Sequence, residues 1–445
     1  MRLSRWLAIG IGVKRWMLVL FAGLVLLAVA AAHVIRQATR DVEPTGLGGA
    51  LLDLVTLQPL PYALRGLVVG TFGLALVVMG AARVVRAVTE PLREPEADQP
   101  LVELIYQKRF LARGPRIVAI GGGTGLSALL RGLKEHTSNL TAVVTVADDG
   151  GSSGVLRHAF GIPAVGDLRN CIAALADSEP IMAELLQYRF PAADETPASG
   201  GEPGLAGHPV GNLLLAALTA VQGGDFEEGV RQMNRVLAVR GQVVPVSPTP
   251  IVLHAHLRDG RDLSGQSVIM RAEGIERVWI EPADVRPSDQ VIEAIAAADL
   301  IVIGPGSLFT SLLPSLLVPG LAEAIASANG QRVYVCNVAT QVGETAEFDL
   351  ADHVEVLIGH TTAGLVDIVL ANSEFAARIP DGWPAHPVRL RWPPAVERAP
   401  RLVLDAVVDP ANAHRHDPTR LAAALMALAE REVAGRRRSG VARTA

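Results

Sequence analysis

Hydrophobic positions along this chain follow two regimes. From Trp16 to Ile35 they run without interruption, with His33 the only titratable group, and Gly66–Ala82 is a second run free of charge. Apolar stretches of this length without a polar face predict transmembrane helices. A buried helix of a soluble core is the alternative, stronger for the second run, which is shorter and rich in glycine. A cleaved signal peptide is the alternative for the first, disfavoured by its length and by the span that follows. Arg2, Arg5, Lys14 and Arg15 precede the first run, whereas Arg83, Arg86 and Arg93 follow the second. The positive-inside rule therefore places both ends in the cytoplasm. Residues 1–88 read as a hairpin anchor, and the prediction is a multi-pass cell-membrane protein with its C-terminal domain in the cytoplasm. Residues 89–114, which include the charged, proline-rich EPLREPEADQP, read as a linker.

Beyond Pro115 the apolar runs shorten and alternate with helical spacing. Ile117–Ile120, Thr141–Val146, Leu300–Ile303 and Arg332–Cys336 are strand-like and lead into glycine-rich or polar turns. Leu126, Leu129, Leu130 and Leu133 then repeat as one face of a helix. This order predicts an α/β fold, a Rossmann-like, mostly parallel sheet over residues 115–430. Val243–Val246, Ile251–Leu257, Ser267–Met270 and Arg277–Glu281 read as short strands of a small antiparallel insert. Further helices are expected at Cys171–Ala176, Leu213–Val221 and Leu421–Glu432. Pro191–Gly207 reads as a mobile or disordered loop, and residues 431–445, with Arg436–Arg438 and Arg443, as a basic disordered tail.

Composition narrows the function classes. Half of the 445 residues are hydrophobic and only 4% aromatic, as an alanine- and valine-rich core joined to membrane segments requires. A formal charge of −5 gives no case for nucleic acid as a partner. Cys171 and Cys336 lack the paired spacing of a disulfide or metal site and read as buried thiols.

The candidate chemistry sits where strands end. Gly121, Gly122, Gly123, Thr124 and Gly125 form a strand–turn–helix junction whose free N–H groups suit an anion, although the spacing matches neither dinucleotide nor phosphate-loop fingerprints. Asp148 and Asp149 end the second strand and can hold Mg²⁺ or accept hydrogen bonds from a ligand. Ser152 and Ser153 follow with hydroxyl donors. Gly166, Asp167, Arg169 and Asn170 open a helix that Asp167 can cap, with Arg169 facing either a phosphate or Asp167. His208 and Asn212 begin another helix, as ligand contacts or as core residues. Gly304, Gly306, Ser307 and Thr310 make a second glycine turn suited to an anion. Asn337, Thr340 and Gln341, with Glu344 and Thr345, follow the fourth strand. Arg415 can reach a phosphate or make a surface ion pair. Taken singly, each motif also fits an ordinary turn or cap; together they converge on one crevice at the carboxyl ends of a sheet.

The blocks GGGTGLSALLRGLK, TVADDGGSSGVLR, GDLRNCIAALA, GHPVGNLLLAAL, GPGSLFTSLLP and YVCNVATQVGET, followed by RHDP, resemble in content and order the YvcK-like gluconeogenesis factors, relatives of 2-phospho-L-lactate transferase. The resemblance spans about Pro115–Glu430. Departures are few: Val342 stands where a proline is usual, Ala339 where a methionine is, and Gln266 where a glutamate is. The resemblance implies a nucleotide-sugar binding regulator, with UDP-N-acetylglucosamine the foremost ligand, connected with carbon metabolism, cell shape and envelope synthesis. Its alternative is a transferase using a diphosphonucleoside carrier and Mg²⁺, in which Asp148 or Asp149 holds the metal. Another phosphorylated small molecule, the membrane and a second copy in a homodimer complete the partners considered.

Overall fold

The computed structural model describes residues 24–25, 110–176, 180–191, 204–376 and 384–442, with side chains as far as residue 430. All but residues 24–25 of the expected membrane hairpin and most of the linker lie outside these residues, as do most of the Pro191–Gly207 loop and the last three residues of the tail. Among the described residues no single helix is long and apolar enough to cross a membrane.

From residue 110 onward the chain alternates strands and helices. It begins with β1 (Ile117–Gly121), α1 (Gly123–Leu133), β2 (Leu140–Val144), α2 (Gly151–Phe160) and α3 (Gly166–Leu175). The helices α4 (Pro180–Gln187), α5 (Val210–Val221) and α6 (Phe226–Val236) lead to β3 (Gln242–Pro245). There follow β4 (Val252–Leu257), β5 (Asp262–Ser264), the single turn α7 (Gln266–Ile269), β6 (Ile275–Glu281), α8 (Asp289–Ala297) and β7 (Leu300–Ile303). A π-helical turn at Leu308–Leu312 runs into α9 (Leu313–Leu316), then α10 (Leu321–Ser327), β8 (Gln331–Val335), α11 (Leu350–His360) and β9 (Ile368–Asn372). The chain closes with β10 (Arg401–Asp405), β11 (Val408–Asp409), β12 (Asn412–His416) and α12 (Pro418–Ala442).

Seven strands form one sheet in the order β10-β9-β8-β7-β1-β2-β3, and every pairing in it is parallel. The first strand lies inside the sheet, between β7 and β2. From β1 the chain winds outward through β2 to β3, then crosses to β7 and winds the other way to β10, so the winding reverses at β1. Crevices at such a reversal, outside the carboxyl ends of the strands, are where open α/β sheets bind ligands. Because helices cover both faces, β1, β7 and β9 are buried at every residue. That two-sided burial is why their sequences are continuously apolar rather than alternating.

Two expectations are corrected. Val243–Val246 belongs to the main sheet as β3, parallel to β2, and not to the insert, which is β5-β4-β6. Its apolar run packs on the large core, and only its nearness in sequence to β4 made it look antiparallel. Ser267–Met270 is not a strand. Gly265, at φ 98°, turns the chain, and the Asp149 carboxylate accepts the Ser267 N–H at 2.8 Å, so a helical turn starts there. At the C-terminus α12 extends to Ala442, beyond the expected end at Glu432 and into the segment read as a disordered tail.

The turn after β1 packs directly on the turn after β7. A Cβ added to Gly125 would stand 2.8 Å from the Pro305 carbonyl oxygen, and one added to Gly121 would stand 3.2 Å from Leu312. Glycine here serves the approach of one loop to another. Gly125→Ala should therefore cost about 1–3 kcal/mol through overpacking, read as a lowered melting temperature. Gly359→Ala, on the exposed side of α11 with open space around its Cα, should instead raise stability by about 0.5–1 kcal/mol through helix propensity.

Candidate functional site

Backbone extension at the exit of β2 sends Asp148 and Asp149 in opposite directions. Asp148 accepts the Gly150 N–H at 3.0 Å, and its other oxygen lies by Gly166, whose added Cβ would be 3.2 Å from it. Asp149 points to the insert, where besides Ser267 it presses on Gly265, whose added Cβ would lie 2.2 Å from its second oxygen. Asp167, in the first turn of α3, lines the same cavity as Asp148. Asp167 receives a backbone hydrogen bond from Gly123 and interacts with both Asp148 and Arg169. Gly122 has no room for a Cβ, which would sit 2.4 Å from an Asp167 oxygen. The first glycine turn is thus read internally by Asp167. Burial, and then the charge of Asp148, push the Asp167 carboxyl up to about 6.

Around this pair the starts of α2 and α3 come together. Ser153 Oγ accepts the Gly166 N–H at 3.1 Å and so joins the two helix starts. Ser152 Oγ lies 2.8 Å from His208 Nδ1, and Asn212 Nδ2 donates to the same oxygen at 3.0 Å. Arg169 is buried, its stem against Gly211, and donates to Asn170 Oδ1 at 2.9 Å. Desolvation, and then the like charge of Arg189, lower its pKa. Both conditions are relieved by an anion between the two guanidiniums. A cavity of about 170 Å³ is lined by Asp148, Ser152, Ser153, Asp167, Arg169, Asn170 and Asn212, together with Arg189 and the glycines of the two helix starts. His208 stands behind Ser152.

The second glycine turn is built differently from the expectation. Glu344, buried, accepts the Phe309 N–H at 3.1 Å and the Thr310 hydroxyl, while Gln341 donates to it at 3.1 Å and accepts from Ser307 Oγ at 2.7 Å. The donors that suited an anion are therefore already satisfied by a carboxylate, and Ser307, Thr310 and Gln341 form an internal network. Burial raises the Glu344 carboxyl to about 7. Thr340 is likewise engaged, exchanging hydrogen bonds with His386 at 2.7 and 3.0 Å. Asn337, at the β8 exit, stays half-buried. Thr124 is exposed, and its carbonyl accepts from Ser127. Arg415 is exposed on β12, with no hydrogen bond to the other candidates, whereas its neighbour His416 is buried against the Cys336 carbonyl at 3.2 Å.

One short helix ties these exits together. Besides the Asp149–Ser267 bond, Gln266 Nε2 donates to the Thr310 carbonyl at 3.2 Å, and Gly343, at φ 89°, fits against Met270 and Arg271. The insert turn α7 therefore touches the loops after β2, β7 and β8. Sequence reasoning passed over Arg189 and this clamp, because neither carries a local signal. Two larger clefts lie away from these helix starts, one of about 310 Å³ along the edge strand β3 and one of about 500 Å³ at the amino-terminal ends of β1, β2 and β3.

Residues 117–381 match the family model described as 2-phospho-L-lactate transferase CofD. The chain belongs to the CofD family. Within that family it resembles proteins named as gluconeogenesis factors. The Bacillus subtilis gluconeogenesis factor is 48% identical over 265 residues, which cover 59% of this chain and 80% of that protein. A Nostoc sp. protein provisionally named a gluconeogenesis factor is 42% identical over 437 residues, 95% of this chain and 91% of its own. The similarity to it thus extends into the segment before residue 110. The crystal structure of a Bacillus halodurans protein, described as a member of the UPF0052 family, superposes with a TM-score of 0.63 at 41% identity, covering 71% of this chain and 99% of that one. The matched region holds six of the seven strands of the parallel sheet, all but β10, and both glycine turns.

The Glu344 network sets a pH dependence. A carboxyl whose folded pKa is raised to about 7 binds its proton more tightly in the folded state, so its contribution to stability is greatest at or below the unfolded value, about 4.3, and is lost as pH rises through about 7. Melting curves between pH 5 and 8 should show this decline, and Glu344→Gln should flatten it while keeping the acceptor for Phe309.

Proposed function

We propose that this CofD-family chain is a gluconeogenesis factor acting as a membrane-tethered binder of a phosphorylated ligand, a nucleotide sugar such as UDP-N-acetylglucosamine, and that it couples carbon metabolism to cell shape and envelope synthesis. The observation that carries the reading is the pair Arg169 and Arg189 on a cavity formed by two helix starts at the carboxyl edge of the sheet. Backbone N–H groups at helix starts and guanidinium forks are the groups that hold a diphosphate. The cavity takes the phosphate end, and Asn337 and the neighbouring loops lie along the crevice where sugar or base would extend. The relatives named as gluconeogenesis factors support the physiological part of the reading. The uncharged runs before residue 83 support the tether, which places the site beside the membrane where envelope precursors are assembled.

A transferase is the second reading, favoured by the family description and by the carboxylates of Asp148 and Asp167 on one cavity. These hard oxygen donors fit Mg²⁺, which would neutralise charge on a diphosphate. Asp149, committed to the insert, does not join them. In this reading Arg169 and Arg189 orient the phosphates, and Asp148 with Asp167 holds the metal.

Calorimetry on the full chain in detergent separates the two. Under the first reading UDP-N-acetylglucosamine binds without Mg²⁺ and is recovered intact, and Arg189→Ala weakens it about tenfold or more. Preference for GDP with Mg²⁺, abolished by Asp167→Asn, would replace that reading with the transferase. Membrane fractionation checks the tether: the full chain should sediment with membranes, and a chain beginning at Leu101 should not.

A further inference from the structure

The two edges of the seven-stranded sheet differ. At one edge β3 is closed: Val243–Pro245 is buried, the Val243 carbonyl accepts the Asn234 side-chain N–H at 2.8 Å, and Pro245 has no N–H to offer. At the other edge β10 is open. The Arg401 N–H donates to the Asp367 carbonyl and the Asp405 carbonyl accepts the Ser373 N–H, both at 2.9 Å, so these two residues turn their backbone groups toward β9. Such groups alternate sides along a strand, and Leu402 and Leu404 therefore turn theirs outward. Among the described residues nothing bonds to them. The Leu404 side chain is also 47% exposed. An unpaired edge of this kind is a template for another strand.

The strand that fits is β10 itself. Arg401-Leu402-Val403-Leu404-Asp405 is its own complement when reversed. With a two-fold axis through Val403, Arg401 stands opposite the second copy's Asp405, Leu402 opposite its Leu404, and Val403 opposite its Val403. The outward groups of Leu402 and Leu404 then form the hydrogen-bonded pairs of an antiparallel ladder, and Val403 forms the close pair between them. Moving the axis to Leu402 or Leu404 sets Arg401 opposite Val403 or Val407 and separates the charges. Arg401 and Asp405 are both exposed, and among the described residues neither is in an ion pair. Opposite charges facing across the strands favour the register centred on Val403.

We propose that β10 is a homodimer interface, through which two copies of this chain join their sheets edge to edge and antiparallel. The contact is isologous, as a two-fold dimer requires. It does not rest on the phosphate reading.

Sedimentation velocity of the full chain in detergent tests this and should show a dimer. Leu404→Pro removes an outward N–H and no bond to β9, so it should give a monomer with its melting temperature nearly unchanged. Arg401→Asp and Asp405→Arg each set like charges opposite one another at both ends of the contact, and each alone should dimerise about tenfold more weakly or worse. Mixing these two variants should restore a dimer, since every charge then faces its opposite. Val403→Cys should cross-link two copies on mild oxidation, because the Cα atoms of a close antiparallel pair stand about 4.5 Å apart, within disulfide reach. The chain's own cysteines are buried. A monomeric unaltered chain overturns the proposal, and so does a dimer that Leu404→Pro leaves intact. Should Leu404→Pro fail to fold, the charge variants decide: a mixture that dimerises no better than either variant alone overturns the proposal.

Discussion

The crevice exists because two loops touch where a side chain would keep them apart. Gly125 lies against the Pro305 carbonyl, and Gly122 lies against the Asp167 carboxylate, with no space for a methyl group at either contact. Parallel pairing of β7, β1 and β2 in register brings their carboxyl ends level, and the bare Cα atoms let the turns beyond them close on one another. Everything that follows inherits its position from this contact: the starts of α2 and α3, the acids of the cavity, and the two arginines.

Charge is then arranged by burial more than by number. Asp148 and Asp167 line one cavity and Asp167 feels the charge of Asp148, while Arg169 is pressed between desolvation and the charge of Arg189. Neither arrangement is at rest alone. An anion relieves the second, and a cation or a proton relieves the first, so the cavity favours ligands that bring both kinds of group. By contrast, the turn after β7 has answered its own donors with Glu344 and serves as a rigid wall. The insert adds a mechanical link: its short helix bonds to the loops after β2 and β7 and packs on the one after β8, so displacement of one loop is felt by the others.

What the chain's own pattern determined is the layered architecture and the edge of the sheet that carries chemistry. Continuous apolar runs at Ile117–Ile120 and Leu300–Ile303, each followed by glycine and then helical spacing, allow little but buried parallel strands with turns at their carboxyl ends, because such strands lose water on both faces. Asp148, Ser152, Ser153, Asp167, Arg169, Asn170 and Asn212 were legible as site candidates because each sits in a turn or at a helix start. Tertiary structure alone decided how they pair. Asp149 left the acidic pair for the insert and Asp167 took its place, while Thr310 and Gln341 turned to Glu344. Strand assignment failed where one apolar run, Val243–Val246, had two sheets available, and where the Asp149 carboxylate, 118 positions away, started a helix at Ser267. Local spacing records which face a residue buries. It does not record which distant group meets that face, since that partner is chosen only when the loops close and water is removed from between them.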